Sequence, residues 1–232
     1  MKESELITID HLTKVYPTGT GGFKALKDIN LTFRSGEFSG VVGPSGSGKT
    51  TLLNIIGTLD NPTEGKASIL GRSVNALSSK DAARLRNHHI GFIFQTYNLL
   101  PVYTVYENVE FPLLLLDYSS DKREKMVMDA LSWVNLTDKK DSRPSQLSGG
   151  ESQRVAIARA IVKKPELILA DEPTANLDAK NSYMILEIMV KMNQELGTTF
   201  IFSTHDDKVM KYLKRTISLE DGRVAGDEQA KA

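Results

Sequence analysis

Gly43-Pro44-Ser45-Gly46-Ser47-Gly48-Lys49-Thr50 has the residue types and spacing needed to cradle phosphate, in the pattern G-x-x-x-x-G-K-[S/T]. Glycines let consecutive backbone N–H groups turn inward as a nest around phosphate oxygens, where a side chain would clash. Lys49 can reach terminal phosphates as a mobile charge, and the Thr50 hydroxyl, followed by Thr51, can ligate Mg²⁺. Chance produces this pattern in about one chain in a hundred of this size. Its presence predicts a nucleotide site.

A second group lies far along the chain, where Leu167-Ile168-Leu169-Ala170 runs into Asp171-Glu172-Pro173. A carboxylate ending an apolar strand, in a chain with a phosphate loop, suits the acid that holds Mg²⁺. The adjacent Glu172 can serve as a general base or orient an attacking water. Between the two groups stands Leu147-Ser148-Gly149-Gly150-Glu151. Ser148 and Glu151 form a capping box, so a helix should begin there. Two glycines inside a helix cost about 1 kcal/mol each relative to alanine, which points to backbone held close to a ligand.

The surrounding pattern supplies the elements that must position these groups. Val41-Val42 ends an apolar, strand-like segment, and Leu52, Ile55, Ile56 and Leu59 then recur on one helical face. Strand, loop and helix in that order put the helix N-terminus at the anion site. The strand itself carries Ser39 and Gly40, so it is less apolar than buried parallel strands usually are.

Leu6 to Phe33 alternates with the period of half-buried antiparallel strands, broken by a loop at Pro17-Thr18-Gly19-Thr20-Gly21-Gly22. Asp60–Gly65 reads as a turn, Ala67–Leu70 as a short strand, Ser78–Asn87 as a helix and Ile90–Phe94 as a buried strand ending at Gln95. The middle holds a predicted helix over Asp121–Trp133 and a polar link over Thr137–Ser145. Ile185, Ile188, Met189, Met192 and Leu196 form a helical stripe stopped by Gly197, with the methionines expected in the core. Thr199–Ser203 is a buried strand ending at Thr204-His205, and Asp221-Gly222 signals a hairpin. The closing Gly226–Ala232 stretch is expected to fray.

These alternating elements predict an α/β fold with a mainly parallel sheet covered on both faces. Ligands in such folds sit at the carboxyl ends of the strands, where the phosphate loop, Gln95, Asp171-Glu172 and His205 all fall.

The 232 residues suffice for one large α/β domain, or a core with an appended subdomain. Lys+Arg and Asp+Glu number 29 each, which argues against broad electrostatic binding of nucleic acid or anionic lipid. Cysteine is absent, excluding disulfides and thiolate-bound zinc. No apolar run approaches the ~18 residues of a membrane span, and Met1–Glu5 lacks a signal-peptide apolar region. The expected location is therefore the cytosol.

Taken with Gln95, Asp171-Glu172-Pro173-Thr174 and His205, the Leu-Ser-Gly-Gly segment makes almost the whole chain resemble the ATP-binding cassette (ABC) family. The resemblance implies a phosphate-loop core with an N-terminal antiparallel β subdomain (1–95 and 165–232) and an inserted helical subdomain (96–164). It implies ATP and Mg²⁺ as cofactors. Tyr16 matches the aromatic that stacks on adenine, and Gly43–Thr50 would hold the phosphates. Gln95 matches the glutamine contacting Mg²⁺ and the attacking water. Asp171 would hold Mg²⁺ through water, Glu172 would polarise the nucleophile, and His205 would hydrogen-bond the γ-phosphate. His11, His88 and His89 have no such context and are expected to be solvated.

In this family the signature of one subunit closes over ATP held by another. Ser148, Gly149 and Gly150 would thus serve a second copy's nucleotide, and Asp178 would lie in the loop crossing the dimer interface. The family also implies a transmembrane permease that brings the chain to the cytoplasmic face of the inner or plasma membrane. A groove between the Gln95 loop and the middle helices would receive a short helix of that permease, with Tyr97–Leu100, Tyr103 and Phe111–Leu116 as candidate contacts. Leu59-Asp60-Asn61-Pro62-Thr63, Ile90–Gln95, Asn98-Leu99-Leu100-Pro101 and Glu107-Asn108-Val109 look like the lipoprotein-release and macrolide-export type (LolD- or MacB-like). Two departures stand out: Ser152, where a long polar side chain is common, and Ser39-Gly40.

Two competitors remain open. One is another phosphate-loop enzyme, such as a small-molecule kinase or GTPase, although no Asn-Lys-x-Asp guanine reader occurs. The other is a soluble ABC-class ATPase acting on nucleic acid or ribosomes. Its members usually carry a coiled coil, zinc cysteines or a second cassette, and none of these is found here.

Overall fold

The computed structural model describes residues 5–19 and 21–230. The polar run before Glu5, Thr20 of the expected loop and the last two residues of the expected frayed tail lie outside them. The chain folds as two sheets with helices between and around them. The first sheet begins with a long antiparallel hairpin, β1 (Glu5–Thr18) and β2 (Gly21–Arg34). Pairing continues to Thr18 opposite Gly21, so the loop expected over Pro17–Gly22 is mostly strand. Its glycines make a tight turn between paired strands and do not open a long excursion.

After β3 (Phe38–Val42) and α1 (Lys49–Ile56) come β4 (Glu64–Ile69) and β5 (Arg72–Ser73), which complete the first sheet in the order β2-β1-β4-β5. The α1 helix ends at Ile56, with Gly57 at its cap, so Leu59 lies beyond the helical face expected for it and is largely exposed. Next is α2 (Ser79–His89), capped by the Ser78 side chain, followed by β6 (Ile90–Ile93).

The stretch between β6 and β7 is helical throughout its regular structure: α3 (Val105–Glu110), α4 (Ser120–Trp133) and α5 (Gly149–Ile161), with short 3₁₀ turns between. Then follow β7 (Leu167–Asp171), α6 (Ala179–Leu196), β8 (Thr199–Thr204), α7 (Asp207–Met210), β9 (Arg215–Glu220) and β10 (Arg223–Gln229). The tail expected to fray is instead paired with β9 as far as Gln229, following the Asp221-Gly222 turn, where both residues have positive φ. Ladder hydrogen bonds to β9 outweigh the weak strand propensity of these small and polar residues.

The second sheet runs β10-β9-β3-β8-β7-β6, parallel from β9 through β6 and antiparallel only at its β10 edge. Its central strand β3 is buried at every residue. Ser39 is accommodated by donating its hydroxyl to Glu37 at 2.7 Å. At Gly40 a β-carbon would stand 2.2 Å from Leu213 Cδ1, so the glycine is there to admit a leucine side chain. Both departures in that strand thus have packing reasons.

Two apolar clusters flank this sheet. One joins α1 and the antiparallel sheet to the strands through residues such as Phe33, Leu52, Ile55 and Ile201. The other joins the middle helices and α6 to the opposite face through Val109, Leu131, Ile157, Met189 and Phe200. Met189 and Met192 are fully buried, as expected of core residues.

Candidate functional site

Parallel strands end together at one rim of the sheet, and loops leaving them carry the chemistry. After β3, Gly46 and Gly48 take φ of +80° and +107°, conformations suited to glycine. At Gly48 there is also no room: a β-carbon would lie 2.6 Å from the Ala25 carbonyl oxygen. The helix α1 then starts at Lys49 without a side-chain cap, leaving its first N–H groups and its positive end at the loop.

Lys49 is 7% exposed, and its ammonium folds back onto the carbonyls of Gly43 and Pro44 at 2.8 and 2.9 Å. It is a buried cation whose acceptors among the described residues are neutral carbonyls, which suits exchange onto an anion. Thr50 donates its hydroxyl to Asp171 at 3.1 and 3.3 Å from the two carboxylate oxygens. A hydroxyl and a carboxylate so close form a hard-oxygen pair of the kind that suits Mg²⁺.

At the end of β7, Glu172 has φ +46°, an uncommon conformation for a residue with a side chain. The bend is held by its N–H bonding the Ser203 carbonyl at 2.9 Å. It turns the carboxylate toward β8, where His205 Nδ1 lies at 2.6 Å and the Thr204 hydroxyl at 3.2 Å. These groups converge on one cavity of about 420 Å³, lined by Lys49, Thr50, Gln95, Asp171, Glu172 and His205 among others. Ser203 is also among the lining residues, and its hydroxyl is buried without a hydrogen-bond partner among the described residues.

The other expected residues fall in three places. Ser45, Gly46, Gly48 and Thr51 line the cavity. Gly43, Pro44 and Ser47 stand behind it, the first two as acceptors for Lys49. Tyr16 is not in the wall. Its hydroxyl donates to Asp60 at 2.8 Å, while the Lys14 ammonium sits 4.9 Å from its ring centre. Burial and then the Asp60 hydrogen bond push the Tyr16 phenol above its usual range. From this hairpin, Phe23 and Ala25 line the cavity, neither of which the sequence pattern singled out.

Ser148, Gly149 and Gly150 form a separate surface. Ser148 caps α5, with Glu151 N–H donating to its hydroxyl at 3.2 Å and Glu151 accepting from Ser148 N–H at 2.7 Å. That backbone hydrogen bond holds the Glu151 carboxyl below its usual range. Ser148 and Gly149 are exposed, whereas Gly150 is buried against Asn181, whose Oδ1 a β-carbon would meet at 2.4 Å. Asn181 is in turn bonded to Asp178, the cap of α6, at 2.8 Å through its N–H and 2.7 Å through its amide. The two glycines therefore differ: one keeps the α5 terminus open, the other admits a neighbouring side chain.

The segment after Gln95 is tied to both surfaces. Asn176 donates to the Gln95 carbonyl at 2.9 Å, and Arg159 of α5 donates to the Tyr97 and Asn98 carbonyls at 2.6 Å each. Tyr97 and Asn98 both have positive φ. Beside them lies a groove of about 330 Å³ that includes Asn98, Leu100, Phe111 and Pro112 from the expected contact set. Val102, Leu114 and Leu115 are more than half exposed nearby on the chain. Buried Asn108, which periodicity could not single out, bonds the backbone of Leu100, Tyr103 and Thr104 and so shapes this loop. Of the remaining histidines, His11 is exposed beside Asp28, and His89 is half-buried with its ring on Glu166 at 3.1 Å, so it is less solvated than expected.

Comparison with known proteins adds the following. Residues 26–175 match the family model described as ABC transporter. The lipoprotein-releasing system ATP-binding protein LolD of Geobacter metallireducens is 45% identical over 224 residues, covering 97% of this chain and 100% of that protein. The macrolide export ATP-binding/permease protein MacB of Chlorobium luteolum is 42% identical over 97% of this chain, which spans only 33% of that longer protein. Among solved structures, the ATP-binding cassette MJ0796 of Methanocaldococcus jannaschii, a post-hydrolysis dimer bound to ADP and Pi, superposes with a TM-score of 0.90 at 42% identity. That match covers 97% of this chain and 99% of the other.

Proposed function

This chain belongs to the ABC transporter family and is an ATPase subunit, and from that premise we propose that it drives a separate membrane permease for lipoprotein release or macrolide- and peptide-type export. The observation that carries the catalytic part is the convergence of Lys49, Thr50, Asp171, Glu172 and His205 on one cavity. Phosphoryl transfer to water gains mainly from positioning and charge stabilisation, and these groups supply both.

In this reading, Lys49 leaves the Gly43 and Pro44 carbonyls for the terminal phosphates as the loop N–H groups take the remaining oxygens. Thr50, Gln95 and Asp171 would hold Mg²⁺, which when bound neutralises charge developing on the phosphates. Glu172 orients the attacking water and accepts its proton, and His205 keeps the carboxylate aimed and contacts the γ-phosphate. Ser148, Gly149 and Gly150, which are not in the lining of the chain's own cavity, serve the nucleotide of a second copy, with Asp178 at the interface between copies. Residues 96–164 act as the helical unit that carries this signature, against a core of 1–95 and 165–232.

The groove beside Asn98, Leu100 and Phe111 is the permease contact, and it brings the chain to the cytoplasmic face of the membrane. No helix among the described residues is long and apolar enough to cross a bilayer, so attachment through a partner suffices. Affinity purification from native membranes tests the coupling: co-recovery of a multi-span permease is expected, and ribosomes or DNA in its place would refute it. Loss of Mg²⁺-dependent ATP hydrolysis in Lys49→Ala tests the cavity itself, and an undiminished rate would remove it from the chemistry.

A further inference from the structure

We propose that Gln153 is a positioning residue for hydrolysis: through Pro173 it sets the aim of Glu172, and so ties this chain's own base to the α5 terminus at Ser148–Gly150. This rests on the reading of the cavity as the ATP site and of Ser148–Gly150 as the surface that meets a second copy's nucleotide.

Gln153 is a long polar side chain that is fully buried. Its Nε2 donates to the Pro173 carbonyl at 2.6 Å, while its Oε1 is buried without a partner among the described residues. An orphaned buried acceptor costs stability, and a methionine would fill a similar space without one. What the amide adds over a methionine is one N–H bond, and that bond goes to Pro173.

Pro173 directly follows Glu172. The proline ring fixes its own φ, so few soft torsions separate its carbonyl from the Glu172 side chain. The residues flanking it are held toward β8. Glu172 N–H bonds the Ser203 carbonyl at 2.9 Å, and the buried Thr174 hydroxyl donates to Asp206 at 3.0 Å. Gln153 fixes the same turn from a different element, the helix α5.

Gln153 lies four residues after Gly149 and three after Gly150, and so one turn along the same helical face. That face follows the chain beyond Glu172. A β-carbon at Gly149 would stand 3.9 Å from the Asn176 carbonyl oxygen, and one at Gly150 would meet Asn181. A shift of the α5 terminus as it closes over a nucleotide therefore carries Gln153 with it, and the Pro173 carbonyl follows. Hydrolysis in a chain's own cavity then depends on whether its α5 is engaged at the other nucleotide.

The test is Gln153→Met in the full chain. With Mg²⁺, kcat for ATP hydrolysis should fall about tenfold while KM, and ATP affinity by calorimetric titration, stay unchanged, because the base and not the binding site has moved. Combined with Glu172→Gln, the substitution should leave the ATP-trapped dimer intact on size exclusion. An unchanged kcat would overturn the proposal. So would a parallel loss of ATP affinity, which marks a structural role, or loss of the trapped dimer, which places Gln153 in the dimer surface and not behind Glu172. If Gln153→Met does not fold, Gln153→Asn, which keeps the amide but draws it back by one carbon, should show the same split and is judged by the same outcomes. Failure of Glu172→Gln alone to trap a dimer, or wild-type hydrolysis by Lys49→Ala, would instead remove the underlying reading.

Discussion

The imidazole Nδ1 of His205 stands 2.6 Å from Oε1 of Glu172, while the Thr204 hydroxyl occupies the other carboxylate oxygen at 3.2 Å. Two consecutive residues leaving β8 therefore orient one carboxylate leaving β7, and the positive φ of Glu172 brings it to them. A side chain held on both oxygens loses little freedom when it must aim at a water.

Glu172→Gln should keep this geometry, since an amide can still bond His205 and Thr204, but it removes the proton acceptor. ATP binding is expected to persist while hydrolysis falls by about 10²–10⁴-fold. Because ATP is then retained, size exclusion with Mg²⁺-ATP should show an accumulated dimer. Wild-type turnover would remove Glu172 from its role as base.

Ser148→Arg places a long cation at an exposed helix cap outside the cavity lining. The monomer should bind ATP as before, yet ATP-dependent dimerisation and hydrolysis should be lost. Loss of ATP binding by the monomer, measured by titration at low protein concentration, would contradict the shared-site model.

Gly40→Ala inserts a methyl group where Leu213 already sits, 2.2 Å from its Cδ1. Overpacking in the central strand should destabilise the fold by about 1–3 kcal/mol in chemical denaturation. The double variant with Leu213→Ala should recover part of that loss, because the methyl then has space. Additive losses would show that the strand, and not the leucine, resists the change.

Burial pushes the Lys163 ammonium down to about 8 from 10.5, only partly offset by the nearby Glu166 carboxylate. Below pH 8 both folded and unfolded chains hold the proton, and the folded state bears the full burden of a buried charge. Between about 8 and 10.5 the folded state has shed a proton that the unfolded state retains, so this residue makes stability rise with pH. The relief is on the order of 3 kcal/mol at most. Lys163→Met should flatten that rise, which denaturation of both proteins at pH 7 and pH 10 will read. An identical pH response in the two proteins would show that Lys163 is not responsible.

Local chemistry was legible where the motif is local. The phosphate loop, the carboxylates at the end of β7 and the Ser148–Glu151 box each announce themselves within a few residues, and each depends on nearby backbone geometry. What stayed hidden depends on distant partners. Gly40 looks like a weak strand residue until Leu213 is seen against it. Phe23 looks like an ordinary hairpin residue until β2 is packed on the loop of Gly48. The tail from Gly226 reads as frayed because nothing local in its small, polar residues shows that β9 will offer it a ladder. Leu59 fits the helical period, yet α1 stops before reaching it.

The place of β3 in the sheet sets an order of events during synthesis. Its hydrogen-bonding neighbours are β8 and β9, both encoded beyond Thr198, so neither edge of β3 can be paired until synthesis has passed β8. The sheet of β1, β2 and β4 can close much earlier, from residues already in hand. The nascent chain thus carries a strand with two open edges from β3 until β8 emerges, a state prone to wrong pairing. The phosphate loop is anchored among the last contacts to form, so a ribosome-bound fragment ending before β8 should hold a folded hairpin sheet and no nucleotide.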